Sequence, residues 1–179
     1  MLANKIIRPG SAHVGAVIAL TLVLLSCGYR FAGQGSLPAD VTLVFIPIFE
    51  NRTSETGVES IFTNDLIFQF TRNRKESIAP DLASADGVLR GTVESLVINN
   101  VARSSLSTAT ERRVTGVLRL QMESLGGNVL WSSGNIVESM VYSVVDDNKT
   151  ATDRNKSDAI AVVSKKIAES AFDRLTDDF

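Results

Sequence analysis

Histidine and cysteine are almost absent from this sequence of 179 residues, which has one of each, His13 and Cys27. If residues 1–26 are removed on export, as argued below, His13 is lost with them, and acylation would consume the thiol of Cys27. A mature chain without imidazole or thiol lacks the parts of a serine or cysteine nucleophile site and of a histidine or cysteine zinc site. No disulfide is possible either, so we expect a domain that depends on its hydrophobic core.

Carboxylate chemistry remains formally open, because adjacent acidic pairs stand at 146–147 and 177–178. Neighbouring residues on a strand point to opposite faces, and both pairs have the character of solvated ends of elements. The glycine pair at 126–127 lies between predicted strands and opens no helix, so it is not a phosphate-binding loop. The sequence therefore predicts a protein that is not an enzyme and that needs no cofactor or metal.

The N-terminal segment has the layout of a bacterial export signal. Two basic residues precede an apolar run of twelve residues, 14–25, and the small residue Ser26 precedes Cys27. Twelve residues are too few to span a bilayer, which needs roughly 20. The pattern resembles a lipoprotein signal, in which the cysteine at the cleavage point receives lipid. We predict a signal peptide at 1–26 and lipidation of Cys27; a buried free cysteine after an ordinary signal is the alternative.

Cleavage would also change the charge balance. Removing Lys5 and Arg8, with no acidic residue, would leave 16 basic against 20 acidic residues and a formal charge of −4. This balance predicts no nucleic-acid partner and no polybasic membrane patch. Three acyl chains would hold the protein at a membrane permanently in practice, since each buried methylene contributes about 0.8 kcal/mol. Because the mature chain is negative overall, it could bind an anion only through a local group of basic residues.

The mature chain divides into a lipidated tether at 27–40, rich in small residues, and a single domain at 41–179. The predicted elements are a strand at 41–48, a helix from 54, strands at 88–98, 113–124 and 129–142, and a helix from 152. This order predicts an α+β fold, a two-layer sandwich with two helices on one face of a mixed four-stranded sheet, β-α-β-β-β-α. The position of the first strand in that sheet stays open.

Apolar periodicity predicts which residues of these elements face the core. For the first helix they are Val58, Ile61, Phe62, Leu66 and Phe70, and for the second helix Ile160, Val163, Ile167, Ala171 and Leu175. For the second and third strands they are Leu89, Gly91, Val93 and Val97, and Val114, Gly116, Leu118, Leu120 and Met122.

To keep these apolar sets on one face, paired residue numbers in the second and third strands must sum to an odd value. A sum near 209 centres the turn at residues 104 and 105 and puts Arg90 opposite Arg119, with Arg113 on the same face. Directly opposed like charges are unfavourable, so an anionic partner would relieve the repulsion. The alternative is that Glu94 and Glu123 neutralise these arginines on an ordinary wet face.

The fourth strand has apolar residues on both faces. One face has Trp131, Val137 and Val141, and the other has Leu130, Ile136, Met140 and Tyr142. Either the strand is covered on both sides, or a bulge at 132–134 exchanges the faces.

An ordered set of short motifs resembles the LPS-assembly lipoprotein (LptE) family. The motifs are Cys27-Gly28-Tyr29-Arg30-Phe31, Leu37-Pro38, Ile46-Pro47-Ile48-Phe49-Glu50-Asn51-Arg52-Thr53, Gly57-Val58-Glu59 and Thr152-Asp153-Arg154-Asn155. Together they extend over nearly the whole mature chain, and their common order carries the resemblance.

The resemblance implies an outer-membrane lipoprotein on the periplasmic face, which plugs and supports assembly of the LptD β-barrel and takes part in lipopolysaccharide transport to the outer leaflet. It also implies lipopolysaccharide contact through basic residues near the loop at 99–110. The candidates are Arg103, Arg112 and Arg113, with Arg90 and Arg119 added by the register above. Gly28 lacks the aspartate that retains lipoproteins at the inner membrane, so outer-membrane sorting follows by analogy. The alternative is another periplasmic lipoprotein adaptor, a cell-wall synthase activator or a secretion-channel component.

Overall fold

The computed structural model describes residues 37–38, 41–74, 77–103 and 109–177. The predicted signal peptide, Cys27, most of the tether, Lys75 and the predicted turn at 104 and 105 lie outside the described residues. The strands are β1 (Val44–Phe45), β2 (Glu50–Asn51), β3 (Gly87–Arg103), β4 (Ala109–Ser124) and β5 (Val129–Ser143), and the helices are α1 (Val58–Arg74) and α2 (Lys149–Asp177), with a short 3-10 helix at Leu82–Ser84. Two helices on a mixed sheet confirm the predicted α+β class.

The predicted first strand is divided into two short strands. Both β1 and β2 run parallel to β3, with Val44 beside Gly87 and Glu50 beside Thr92. Pro47 lies in the gap between them. Because proline has no backbone N–H, it cannot donate a hydrogen bond to the neighbouring strand there. The position that the sequence left open is therefore the edge of the sheet next to β3, and the sheet has five strands rather than four.

The meander β3–β4–β5 forms the rest of the sheet in antiparallel order, as predicted. The predicted register of β3 and β4 is wrong by two residues, because Arg90 pairs with Gln121 and Arg119 pairs with Thr92. The numbers of paired residues sum to 211, an odd value as predicted, as far as Val93, and to 212 from Ser95 to Asn100. A bulge follows Val93 in β3, so the inward positions change parity.

This bulge corrects one predicted core residue. Leu89 and Val93 are buried, but Val97, predicted to lie with them, is 47% exposed. Leu96 and Ile98 pack against the core in its place. All five residues predicted to face inward on β4 are buried.

A second bulge explains the two-sided pattern of β5. Arg119 pairs with Asn135 but Gln121 pairs with Ser132, so β5 has an extra residue in between. Gly134 has a φ of 63° there, and the Ser133 hydroxyl accepts a hydrogen bond from Leu120 N–H at 2.9 Å. Consequently Trp131 is buried before the bulge and Ile136 after it. The bulge interpretation is confirmed.

Helix α1 buries four of the five predicted residues, Val58, Phe62, Leu66 and Phe70. Ile61 is 38% exposed, so its prediction is wrong. Successive residues of a helix are 100° apart around its axis, and this puts Ile61 just outside the buried face of α1. The opposite border of that face is formed by the buried Thr63.

Helix α2 buries all five predicted residues and begins three residues earlier than predicted. The Asn148 side chain accepts a hydrogen bond from Ala151 N–H at 2.9 Å, which makes Asn148 the N-cap. The two helices contact each other through Phe70 and Phe172, whose ring centroids are 5.2 Å apart in an edge arrangement. The core lies between this helix pair and the inward face of the sheet.

Candidate functional site

The other face of the sheet, here called the open face, has a network of charges near β2. Arg52 pairs with Glu50 at 3.1 Å and with Glu94 at 3.1 Å. The Arg119 guanidinium also lies 3.6 Å from the Glu94 carboxylate. Arg90 pairs instead with Glu123, on β4, at 2.9 Å. The Arg52 guanidinium, through its hydrogen bond, holds the pKa of Glu50 below its usual value. This network has as many carboxylates as guanidinium groups.

The predicted repulsion between Arg90 and Arg119 is therefore absent. With the register shifted by two residues, Arg90 reaches Glu123 and Arg119 hydrogen bonds to the Asn135 side chain at 3.1 Å. The alternative stated from the sequence, neutralisation by Glu94 and Glu123, is what the structure contains. Ion pairs as exposed as these contribute little to the stability of the fold.

A cleft of about 330 Å³ lies over this network. It is lined by Pro47, Ile48, Phe49, Glu50, Arg52, Arg90, Gly91, Thr92, Arg119 and Gln121. Sequence reasoning missed Glu50 and Arg52, which were assigned only to a family motif. Their spacing of two residues on an extended segment, which puts both side chains on one face, was the available signal.

Gly91 allows the Phe49 ring to pack closely against β3 beneath the cleft. A Cβ at this position would lie 2.5 Å from the Phe49 ring, so the ring packs directly on the backbone of β3. Phe49 is 3% exposed, and its backbone N–H donates to the buried Thr63 hydroxyl. The segment that presents Glu50 and Arg52 is therefore held by an aromatic contact below it.

The remaining predicted arginines lie near the other end of the sheet. Arg113 is on the open face, opposite Asn99 and Val141. Arg112 is on the helix side, opposite Tyr142. Arg103 ends β3, opposite Ala109, and so lies in a strand rather than in the loop predicted at 99–110, whereas Arg112 and Arg113, predicted at the exit of that loop, lie in β4. Arg113 is six residues along β4 from Arg119, about 20 Å.

These arginines differ from the first group in their electrostatic surroundings. Within the described residues, neither Arg112 nor Arg113 forms an ion pair, whereas Arg52, Arg90 and Arg119 all do. One carboxylate, Glu111, stands two positions from Arg113 on the same face. The five predicted arginines therefore form two separate groups, and in the second group Arg112 and Arg113 have no ion-pair partner among the described residues.

Exposed valines lie between the two arginine groups on the open face. Val97 and Val137 are 47% and 53% exposed, and Val117, which pairs with Val137, lies between them. Thr115 and Ser139 pair beside them. The open face thus combines a modest apolar stripe with charge at both ends.

The chain enters the domain at the end of the sheet where β3 starts. Leu37 is 4% exposed within the core cluster, and Val41 lies against Gly87. Because β3 has 17 residues, its other end is roughly 50 Å away. Arg112 and Arg113 therefore lie far from Leu37 and Val41, where the described part of the chain begins.

Among the described residues, no group of three or more histidine, cysteine, aspartate or glutamate side chains could hold a metal ion. No helix in the same ranges is both long enough and apolar enough to cross a membrane.

The fold and these surfaces define a class of protein: a two-layer α+β domain with one sheet face open to solvent. A family model described as LptE, lipopolysaccharide-assembly, matches residues 41–175. The chain belongs to this family, which confirms the resemblance stated from the sequence. No curated protein sequence matches it.

Solved structures of other bacterial proteins share the fold. An uncharacterized lipoprotein B from Nitrosomonas europaea has a TM-score of 0.58 at 13% identity, covering 83% of this chain and 90% of that one. A minor lipoprotein from Acinetobacter baumannii has a TM-score of 0.53 at 13% identity, covering 77% and 93%. A protein from Xanthomonas campestris has a TM-score of 0.52 at 11% identity, covering 83% and 94%. At these identities the similarity concerns the fold alone.

Proposed function

We propose that this chain is an outer-membrane lipoprotein that plugs and supports assembly of an LptD β-barrel and takes part in lipopolysaccharide transport to the outer leaflet. Residues 1–26 serve as the signal peptide, Cys27 carries the lipid, and residues 27–40 tether the domain on the periplasmic face. The match to the lipopolysaccharide-assembly family over residues 41–175 carries this proposal. The protein acts through its surfaces and not as an enzyme.

The open face supports a role inside a larger partner. Its valine stripe and its charged ends suit contact with a wall that is partly apolar and partly polar. Of the predicted arginines, Arg112 and Arg113 are the better supported candidates for contact with lipopolysaccharide phosphates, because neither forms an ion pair within the described residues. Arg103 stays a candidate by its position at the end of β3. Arg90 and Arg119 would first have to leave Glu123 and Glu94.

Purification of the tagged protein from its native outer membrane tests the partnership. We expect a stable complex with a large β-barrel at a ratio of about one to one. Recovery with a peptidoglycan synthase instead, or without any partner, would contradict the proposal and favour the adaptor alternative.

Charge reversal tests the lipopolysaccharide contact. The variant with Arg103→Glu, Arg112→Glu and Arg113→Glu should bind purified lipopolysaccharide at least about tenfold more weakly, because charge-assisted contacts to phosphate are lost. The matched control has Arg72→Glu, Arg154→Glu and Lys165→Glu on the helices, with the same change in net charge. Equal affinity of the two folded variants would show that the contact lies elsewhere.

A further inference from the structure

The outer edge of β5 has free backbone groups. Val144 N–H donates to Thr110 C=O at 2.9 Å, and this pair continues the register of β4 and β5. In antiparallel strands the hydrogen-bonded pairs alternate, so the even residues of β5 beyond its bulge bond to β4. Val137, Ser139 and Val141 therefore point their N–H and C=O groups away from the sheet. No strand of the described chain pairs with this edge.

Side chains of α2 cover both ends of this edge but not its middle. Arg174 Nη1 donates to Ser133 C=O at 3.1 Å and to Asn135 C=O at 3.4 Å. Asn155 Nδ2 donates to Ser143 C=O at 2.9 Å. The five-residue stretch 137–141 between these contacts has no proline and no lysine, which are the residues that usually protect an edge strand.

A groove of about 290 Å³ lies between β5 and α2 beside residues 140–143, and it meets the free stretch at Met140 and Val141. Met140 and Tyr142 form its β5 side, and Ala159 and Val162 contribute from α2. Met140 and Val162 are each 37% exposed. A free strand edge beside an apolar groove under a helix is the arrangement by which some domains bind a peptide as an added strand, with alternate side chains entering the groove.

The charges at the groove decide between possible occupants. Asp158 lines it, and Glu138 lies on the same, helix-facing side of β5. Within the described residues neither carboxylate forms an ion pair. If a second copy paired antiparallel through the same edge, its own Asp158 and Glu138 would approach these two. Like charges there disfavour a homodimer and favour a basic partner.

We propose that the 137–141 edge of β5 binds an extended segment of another protein as an additional antiparallel strand, with apolar side chains at alternate positions in the groove and a lysine or arginine beside Asp158. The backbone of Val137, Ser139 and Val141 supplies the hydrogen bonds, and the groove and its carboxylates supply the selectivity. This inference rests on the β5 edge alone and does not depend on the proposed function.

A labelled heptapeptide, Thr-Val-Thr-Lys-Thr-Val-Thr, provides the probe, with binding to the full-length chain in detergent measured by fluorescence anisotropy. Its valines and lysine share one face, as the groove requires. Ser139→Pro removes the central donor and places a ring at the edge without breaking a bond to β4, so we expect binding at least about tenfold weaker. Ser139→Ala, which keeps the donor, should bind within about twofold of the original.

Charge exchange gives a second variant at an exposed helix position. Asp158→Lys should weaken binding of the lysine peptide roughly three- to tenfold and should favour a peptide with glutamate in the lysine's place. Bound peptide should also slow hydrogen exchange in residues 136–142. Binding that survives Ser139→Pro in a folded protein, equal binding of a peptide with a central proline, or no binding would overturn the proposal. A dimer that Ser139→Pro dissociates would also overturn it, because the occupant would then be a second copy.

Discussion

Thr63 is a buried polar residue that connects α1 to the segment before β2. Its hydroxyl oxygen accepts a hydrogen bond from Phe49 N–H at 3.0 Å and donates to Glu59 C=O at 2.6 Å. Apolar periodicity did not identify Thr63, because a hydroxyl residue does not contribute to an apolar stripe. Its burial follows from the buried arc of the helix, and its hydroxyl satisfies a backbone N–H that would otherwise be buried without a partner.

Replacing this hydroxyl should measurably destabilise the domain. Thr63→Val keeps the side-chain shape but leaves Phe49 N–H without an acceptor, so we expect a loss of about 1–3 kcal/mol in the free energy of unfolding. Urea denaturation followed by circular dichroism measures it. Thr71→Val is the matched control, since Thr71 makes the same bond to its own helix but is exposed, and it should change stability by less than about 0.5 kcal/mol. Equal losses would show that the Phe49 contact is unimportant.

At the scale of elements, Gly134 sets the pairing of β5. A Cβ added to it would meet nothing within 4 Å, so only its φ of 63° opposes substitution. Gly134→Ala should therefore cost about 1–2 kcal/mol, the penalty of a left-handed conformation for a residue with a Cβ. Gly134→Asn should cost less, because asparagine tolerates this conformation. The thermal unfolding temperature should be highest for the original protein, lower for Gly134→Asn and lowest for Gly134→Ala. If Gly134→Ala were as stable as the original protein, the bulge would be contradicted.

The elements also show what the sequence could predict. Two-residue alternation in β4 and the apolar stripe of α2 depend on local periodicity, and every inward residue predicted for them is buried. The register of β3 and β4 depends on turn geometry and on bulges, which follow from contacts between distant residues. For this reason Val97 and the opposition of Arg90 and Arg119 were predicted wrongly, while the possibility of a bulge in β5 could be stated from its mixed faces.

At the scale of the whole molecule, the sequence predicted the α+β class, the family and the arginines and glutamates of the open face. The network in which Arg52 and Arg119 both contact Glu94, with Glu50 beside them, was not predicted. It depends on β2 lying parallel to β3, and the place of that segment in the sheet could not be inferred from the sequence. The sheet places Arg113 about 20 Å from Arg119 along β4. Within the described residues Arg119 forms an ion pair and Arg113 does not. The roles proposed for these arginines, for Cys27 and for the tether remain predictions.

One contribution to the acid response of the domain comes from a junction at the start of the sheet. Asp86, just before β3, accepts hydrogen bonds from the Thr42 hydroxyl and from Leu43 N–H at 3.0 Å, which holds the segment leading into β1. These bonds, that of the Thr42 hydroxyl first, lower the pKa of Asp86 below its usual value. Since the pKa is lower in the folded state, the stabilisation is fully present above the unfolded pKa of about 3.9 and is lost as the pH falls through the folded pKa.

Asp86→Asn should therefore reduce stability at pH 7 and reduce it less at pH 3, because asparagine keeps an acceptor oxygen but has no charge to lose. Urea midpoints of both proteins at the two pH values measure the difference. Asp146→Asn is the matched control, an exposed aspartate that receives no hydrogen bond within the described residues, and its effect should be small and equal at both pH values. If Asp86→Asn lowered the midpoint equally at pH 7 and pH 3, the junction would stabilise the domain through hydrogen-bond geometry alone, and the carboxylate charge would not contribute.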